Sequence, residues 1–403
     1  MNRTKGSAAS LVEELEVEIM PRHVCVVITA RPSYSRIKTA LDAIGRHPDL
    51  ELLLVVAGSA LLDRYGNAAN IIEGDGHKIT ARVYMILEGE NLVTSAKSTG
   101  IALSELAGVF DNLRPDMVLT IADRYETLAT ATAASYMNIP LVHIQGGEVS
   151  GSIDDRVRHA ISKLANLHLV STAGAADRLR RMGEEPESIY VTGCPSIDIA
   201  AEVLDNPRLD FDPMERYVGV GSRVDLSPGY VVVLQHPVMT EYADARMQAL
   251  ATLHAVHGLD IPVLWFWPNV DAGSDGTSKA IRAFRETVQP RNIHFFKNMK
   301  PADFLRLALA GRCVVGNSSV GIRECTYLGI PVVNVGSRQR GRERGANVID
   351  APYAAEAIRQ AVYRQLQNGR YPINHLYGEG RAGERIAAVL AEAPLTFDKV
   401  FTY

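Results

Sequence analysis

The stretch HIQGGEVSGSIDDRVRHAISK, residues 143–163, gathers Gln145, Glu148, Asp154, Asp155, Arg158 and two histidines, His143 and His159, around a glycine turn. Carboxylates, guanidiniums and imidazoles set this close together can move protons or hold an anion. Apolar residues in IDDRVRHAISK recur at helical spacing, which pairs Asp154 with Arg158 and Asp155 with His159 on shared faces. A solvated surface helix carries such pairs too, so the surroundings decide. They contain five more clusters: Arg31 with Ser33; Asp123-Arg124 with Glu126; His236-Pro237; Ser318-Ser319 leading to Arg323-Glu324; and GSRQRGRERG with Arg338, Arg340, Arg342 and Arg344.

Each of the six clusters follows a β-branched apolar run: HVCVVIT, DMVLTIA, PLVHI, YVVVLQ, CVVGN or PVVNV. ELLLVVA, LHLVST and IYVTG extend the first set of runs, and PVLWFW and IHFF extend the second. Helical patterns such as YSRIKTALDAIGRH and PADFLRLALAG separate them. Continuous apolar strands alternating with helices predict an α/β chain of two Rossmann-like doubly wound domains facing across a cleft. Ligands of such sheets bind beyond the carboxyl ends of the strands, where all six clusters fall. The expected division is a polar N-terminal extension over 1–22, a first domain over 23–205 and a Pro/Gly/Asp-rich linker over 206–229. A second domain follows over 230–385, and residues 386–403 form a segment able to pack back on the first.

The GNSSVG turn offers backbone N–H groups and hydroxyls at the start of a helix, an anion site by geometry. Glu324, one turn on, is placed to accept both hydroxyls of a ribose, and the arginines nearby suit a diphosphate. There is no P-loop, and no GxGxxG follows the first strand, so neither ATP hydrolysis nor nicotinamide binding is predicted. The residues point to a nucleoside diphosphate held between two domains.

At 403 residues the chain exceeds the size at which one core usually divides, and 47% apolar with 22% charged residues is a globular balance. A net charge of −4 argues against nucleic acid as the partner. The four cysteines, Cys25, Cys194, Cys313 and Cys325, lie far apart without metal-ligand spacing and read as buried hydrophobes in a reducing compartment. No apolar run approaches the ~20 residues of a membrane span, so a cytoplasmic protein is expected.

The strings GGEVSGSIDDRVRHAISKLA, VTGCPSID, QHPVMTEY and GNSSVGIRECTYLGIPVVNVGSRQRGRERGANV resemble the hydrolysing UDP-N-acetylglucosamine 2-epimerases of sialic-acid-type pathways, over about residues 23 to 390. The resemblance implies a GT-B-like fold, a UDP-sugar substrate bound with the sugar toward the first domain, a homodimer, and no metal or other cofactor. Its reaction expels UDP from C1 as the C2 proton leaves, giving a glycal that water then converts to the free 2-epimer, of N-acetylmannosamine type. By the same resemblance Asp123 and Asp154 are catalytic acids or bases. Arg31, Arg124, Arg158 and His236 lie near phosphates or sugar. Ser318, Ser319, Glu324 and Arg338 bind the nucleotide, and Phe304 stacks on uracil.

Two positions depart from the family pattern. Members often read Arg-Ala-Asp/Glu-Tyr where this chain has Arg31-Pro32-Ser33-Tyr34, and often carry a catalytic Glu where it has Gln145. An amide hydrogen-bonds but does not shuttle protons at neutral pH. The lost transfer must pass to Asp123, Asp154 or Glu148, the nearest substitute, or the product differs. The alternatives are a nucleotide-sugar hydrolase that releases UDP without inverting C2, a GT-B glycosyltransferase, and a UDP-sugar sensor without activity.

Overall fold

The computed structural model describes residues 20–63, 66–89, 92–151, 154–268 and 273–402; the expected N-terminal extension lies almost wholly outside them. The first sheet is built from β1 (Arg22–Ile28), β2 (Leu50–Ala57), β3 (Ile79–Val83), β4 (Met117–Ile121), β5 (Leu141–Ile144), β6 (Leu167–Val170) and β7 (Ile189–Val191). Its helices are α1 (Arg31–Arg46), α2 (Ala68–Gly74), α3 (Leu92–Leu113), α4 (Tyr125–Tyr136), α5 (Asp154–Leu164) and α6 (Ala173–Arg181). Helix α7 (Pro195–Asp205) and the single turn α8 (Pro213–Arg216) lead to the second sheet.

That sheet holds β8 (Gly219–Gly221), β9 (Val231–Leu234), β10 (Val263–Phe266), β11 (Ile293–Phe296), β12 (Cys313–Gly316), β13 (Val332–Val335) and β14 (Val348–Ala351). With it go α9 (Ala245–His257), α10 (Ser274–Val288), α11 (Pro301–Ala310), the single turns α12 (Ser319–Ile322) and α13 (Glu324–Tyr327), and α14 (Ala355–Asn368). The last helix is α15 (Ala382–Glu392).

The first sheet is parallel in the order β3-β2-β1-β4-β5-β6-β7. The second runs β14-β13-β12-β9-β10-β11-β8, parallel except for the antiparallel edge strand β8. Strand order reverses between β1 and β4 and again between β9 and β12, the crevices where doubly wound sheets bind ligands. Four of the six clusters stand at these points: Arg31 after β1, Asp123-Arg124 after β4, His236 after β9 and Ser318-Ser319 after β12. Central strands such as β4, MVLTI, are buried throughout because helices cover both faces, which accounts for their unbroken apolar runs.

Two helices tie the halves together. Along α7, Ile197, Ala200 and Val203 are fully buried in the core beneath the second sheet, while Asp198 on the same helix accepts from Thr39 of α1 at 2.8 Å. Helix α15 returns to the first half, where Ile386, Ala387 and Leu390 join Ile37, Leu41 and Ile44 of α1 in one core. Asp198 fixes its start by accepting from the Ala382 and Gly383 amides, both at 2.8 Å. No helix among the described residues is long and apolar enough to cross a membrane.

Candidate active site

A cleft of about 1040 Å3 opens between the halves, walled by Arg31, Arg36, Arg124 and Ser196 on one side and His236, Phe304, Ser318, Ser319 and Glu324 on the other. Arg31 begins α1 and reaches across to the Met299 carbonyl at 3.4 Å; burial lowers its pKa to about 10, still fully charged at neutral pH. Arg124 is steered by the buried Glu126 carboxylate at 3.2 Å. The loops after β9 and β12 are locked together because the Asn317 amide pairs with both backbone groups of His236, each at 2.8 Å. Phe304 is held edge-on by Phe266, ring centroids 5.1 Å apart, and lines the wall of the cleft.

Below the cleft lies the floor formed by the turn after β5. Two non-glycine residues at the ends of neighbouring strands have left-handed backbone, Ala122 (φ 70°) after β4 and just before Asp123, and Gln145 (φ 64°) after β5. Such conformations cost of order 1–3 kcal/mol and persist where the surroundings impose them. His143 helps impose this one: fully buried, its Nε2 lies 2.8 Å from the Ala122 carbonyl and its Nδ1 3.1 Å from the Ser162 hydroxyl. Burial drives its pKa down to about 3, so it is a neutral brace.

Helix α5 supplies Arg158, whose guanidinium pairs with Asp123 and with Asp155 (2.5 Å) and donates to the Glu148 carbonyl at 2.9 Å. Within α5 Arg158 pairs with Asp155, three positions back on the same face. Asp155 also orders the floor loop by accepting from the Ser150 and Gly151 amides. Asp123 follows β4 directly and precedes Arg124, which lines the cleft, while Asp154 is the first residue of α5; neither aspartate is itself part of the cleft lining.

Glu148 occupies a different environment from the one a proton carrier needs. Its carboxylate is buried between Arg323 (2.5 Å) and Arg342, both from the second half. Burial would raise its pKa, but the two guanidiniums outweigh that and hold it near 2. It is an ion-pair anchor between the halves, not a ready substitute for a catalytic Glu at 145. Gln145 is also beneath the wall, with Oε1 3.3 Å from Arg323 and Nε2 3.1 Å from the Cys194 sulfur.

The arginine-rich loop differs in use from the diphosphate role expected for it. Arg338 donates to the Asn317 carbonyl, Arg342 to Glu148 and Arg344 to Asp350, so these charges tie loops and halves together. Gly341 allows the loop to lie on the floor, its amide donating to the Ser150 carbonyl at 3.2 Å. A Cβ at this position would stand 2.7 Å from Val149. The helix expected after Ser318 is broken at Arg323 into two single turns, which shortens the dipole behind the first-turn amides.

Arg36 supplies what the loop does not. One turn into α1, it lines the cleft and donates to Ser319 Oγ at 3.2 Å. Burial and the charges of Arg323 and Arg342 depress its pKa to about 9, which leaves it protonated at neutral pH and in need of an anion. Sequence reasoning passed over Arg36 because it lies inside a helical pattern; its signal was a second arginine five residues after Arg31. Across from it, Glu324 lines the cleft with Oε2 buried and without a hydrogen-bond partner. A buried, orphaned acceptor calls for a donor from a ligand.

Two facing Rossmann-like sheets, with arginines and an orphaned carboxylate in the crevice between their switch points, define a GT-B-like nucleotide-sugar architecture. The chain belongs to the UDP-N-acetylglucosamine 2-epimerase family, whose pattern it matches over residues 42–391. It is 32% identical over 382 residues to the UDP-N,N'-diacetylbacillosamine 2-epimerase (hydrolyzing) of Legionella pneumophila, covering 93% of this chain and 97% of that one. To the UDP-N-acetylglucosamine 2-epimerase of Neisseria meningitidis serogroup B it is 30% identical over 374 residues, covering 92% and 95%. Its fold superposes on the crystal structure of UDP-GlcNAc 2-epimerase from Neisseria meningitidis bound to UDP-GlcNAc with a TM-score of 0.75 at 16% identity, over 91% of this chain and 99% of that one.

Proposed function

We propose that this protein is a hydrolysing UDP-HexNAc 2-epimerase. A base removes the C2 proton, its electron pair forms the C1=C2 bond, and the C1–O bond breaks to release UDP. Water then adds across the glycal, hydroxyl to C1 and proton to the opposite face of C2. The observation that carries this reading is the orphaned Glu324 oxygen in a cleft that also holds Phe304, Arg31, Arg36 and Arg124, a set suited to ribose, base and diphosphate. Asp123 and Asp154, the acidic positions that the family resemblance implies, carry the proton transfers: Asp123 pairs with Arg158 but keeps part of its carboxylate exposed, whereas Glu148 is sealed between two guanidiniums. Arg31, Arg36 and Arg124 stabilise the departing diphosphate.

Incubation with UDP-GlcNAc in deuterated water, followed by proton spectra, tests the reaction. Release of UDP with deuterium at C2 of the free sugar is expected. UDP release without C2 deuteration would favour plain hydrolysis, and an acceptor requirement would favour glycosyl transfer. Two of the relatives are named for diacetylbacillosamine, so the UDP-linked form of that sugar belongs in the same assay.

Phe304→Ala and Glu324→Ala are each expected to weaken UDP binding. Aromatic stacking is worth ~1–3 kcal/mol per base, about tenfold or more in Kd. Unchanged calorimetric affinity in both variants would remove the nucleotide from this wall. The protein is also proposed to be a homodimer, as its family resemblance implies; Tyr84, Leu92, Val93 and Tyr136 are among its exposed large apolar side chains. A light-scattering mass near the 43.9 kDa of one chain would exclude it.

A further inference from the structure

Beneath the cleft wall a chain of hydrogen bonds runs from the second half to the first: Arg323 to Gln145 Oε1 (3.3 Å), Gln145 Nε2 to Cys194 Sγ (3.1 Å), and Cys194 Sγ to Ser196 Oγ (3.1 Å). All four residues are buried, Ser196 at 4% exposure, and of the four Ser196 is the one that lines the cleft. The direction of the chain follows from its first member. A guanidinium only donates, so the oxygen of the Gln145 amide must face Arg323 and its NH2 must face the sulfur. With its sulfur already accepting, the buried Cys194 thiol has Ser196 Oγ as the acceptor within reach for its own proton. The Ser196 hydroxyl proton is then left to point into the cleft, whose lining also includes Arg36.

We propose that Ser196 is a further substrate-binding group, donating its hydroxyl to an anionic oxygen of the bound nucleoside diphosphate, and that Gln145 is the positioning residue that sets this direction. The inference rests on the reading of the cleft as a UDP-sugar site. It also gives the Gln at 145 a purpose. A carboxylate there would offer no N–H to the sulfur and would draw the thiol proton to itself. Ser196 would then turn its own proton back onto the sulfur. The amide exchanges an acid on the floor for a donor on the wall.

The test is calorimetry with UDP on the full chain. Hydrogen bonds to charged groups contribute about 1.5–3 kcal/mol, so Ser196→Ala should weaken UDP roughly ten- to hundredfold. Ser196→Cys, which keeps a weak donor, should fall between. Gln145→Glu should weaken UDP as well, and adding Ser196→Ala to it should cost little more, because the donor has already been turned away. Wild-type affinity in Ser196→Ala would overturn the role of Ser196. Losses that simply add in the double variant would overturn the positioning role of Gln145. Failure of the unaltered protein to bind UDP would instead overturn the underlying reading of the cleft.

Discussion

Asp123→Asn and Asp154→Asn are each expected to lower kcat by about two to four orders of magnitude, the usual contribution of general acid–base catalysis, while UDP affinity changes far less. Asparagine keeps the shape and hydrogen bonding of each side chain but removes the group that takes or gives the proton. The fold should survive the first change, because Arg158 keeps Asp155 and the Glu148 carbonyl as partners. Gln145→Glu sharpens the result. A carboxylate there would share Arg323 with Glu148, two like charges on one guanidinium, so no gain in C2 deuterium incorporation is expected. A large gain would mean that the native floor has been turned toward a different product. Full activity in both Asn variants would show the catalytic carboxylates to lie elsewhere.

Glu148→Gln should have the largest effect on stability. It leaves Arg323 and Arg342 buried with no carboxylate between them, and removing one partner of a buried ion pair costs about 3–5 kcal/mol. At roughly 2–4 °C per kcal/mol for chains of 150–250 residues, and less for a longer one, a drop of roughly 5–10 °C in Tm follows. The pH dependence has a definite sign. The folded protein holds this carboxyl near 2 against an ordinary 4.5, so its contribution is complete above about pH 4.5 and is lost as pH falls toward 2. Wild type and variant should therefore converge in Tm over that window. A gap that stays constant there would mean that the pair contributes through packing and not through charge.

The eleven strands named from sequence, from HVCVVIT to PVVNV, are all present, and the three that were not named, β3, β8 and β14, are all sheet edges. An edge strand is only half covered and need not carry an unbroken apolar run: β3 reads ITARV and β14 VIDA. β8 lies inside a stretch rich in Gly and Pro that reads as a linker, and its Gly219 and Gly221 give no strand signal. The cleft residues were legible because strand ends and turns announce themselves in the pattern. Their partners were not: Glu148 meets Arg342 across 194 positions and Arg323 across 175, and no local spacing records such a pairing. Arg36 was lost for a related reason, since a helical arginine looks like any solvated charge until the opposite wall is in view.

The return of α15 to the first half bears on how the molecule is made. Ile386, Ala387 and Leu390 complete the core against α1, and the Arg22 side chain at the start of β1 donates to the Leu390 and Ala393 carbonyls at 2.9 and 2.7 Å. During synthesis the earliest segment emerges from the ribosome more than three hundred residues before the helix that seals it. Until then the first half exposes an apolar wall along α1, the kind of surface on which partly folded chains aggregate or recruit chaperones. A chain that lacked α15 would leave that wall bare, so the first half depends for its core on the last helix of the molecule despite having its own sheet.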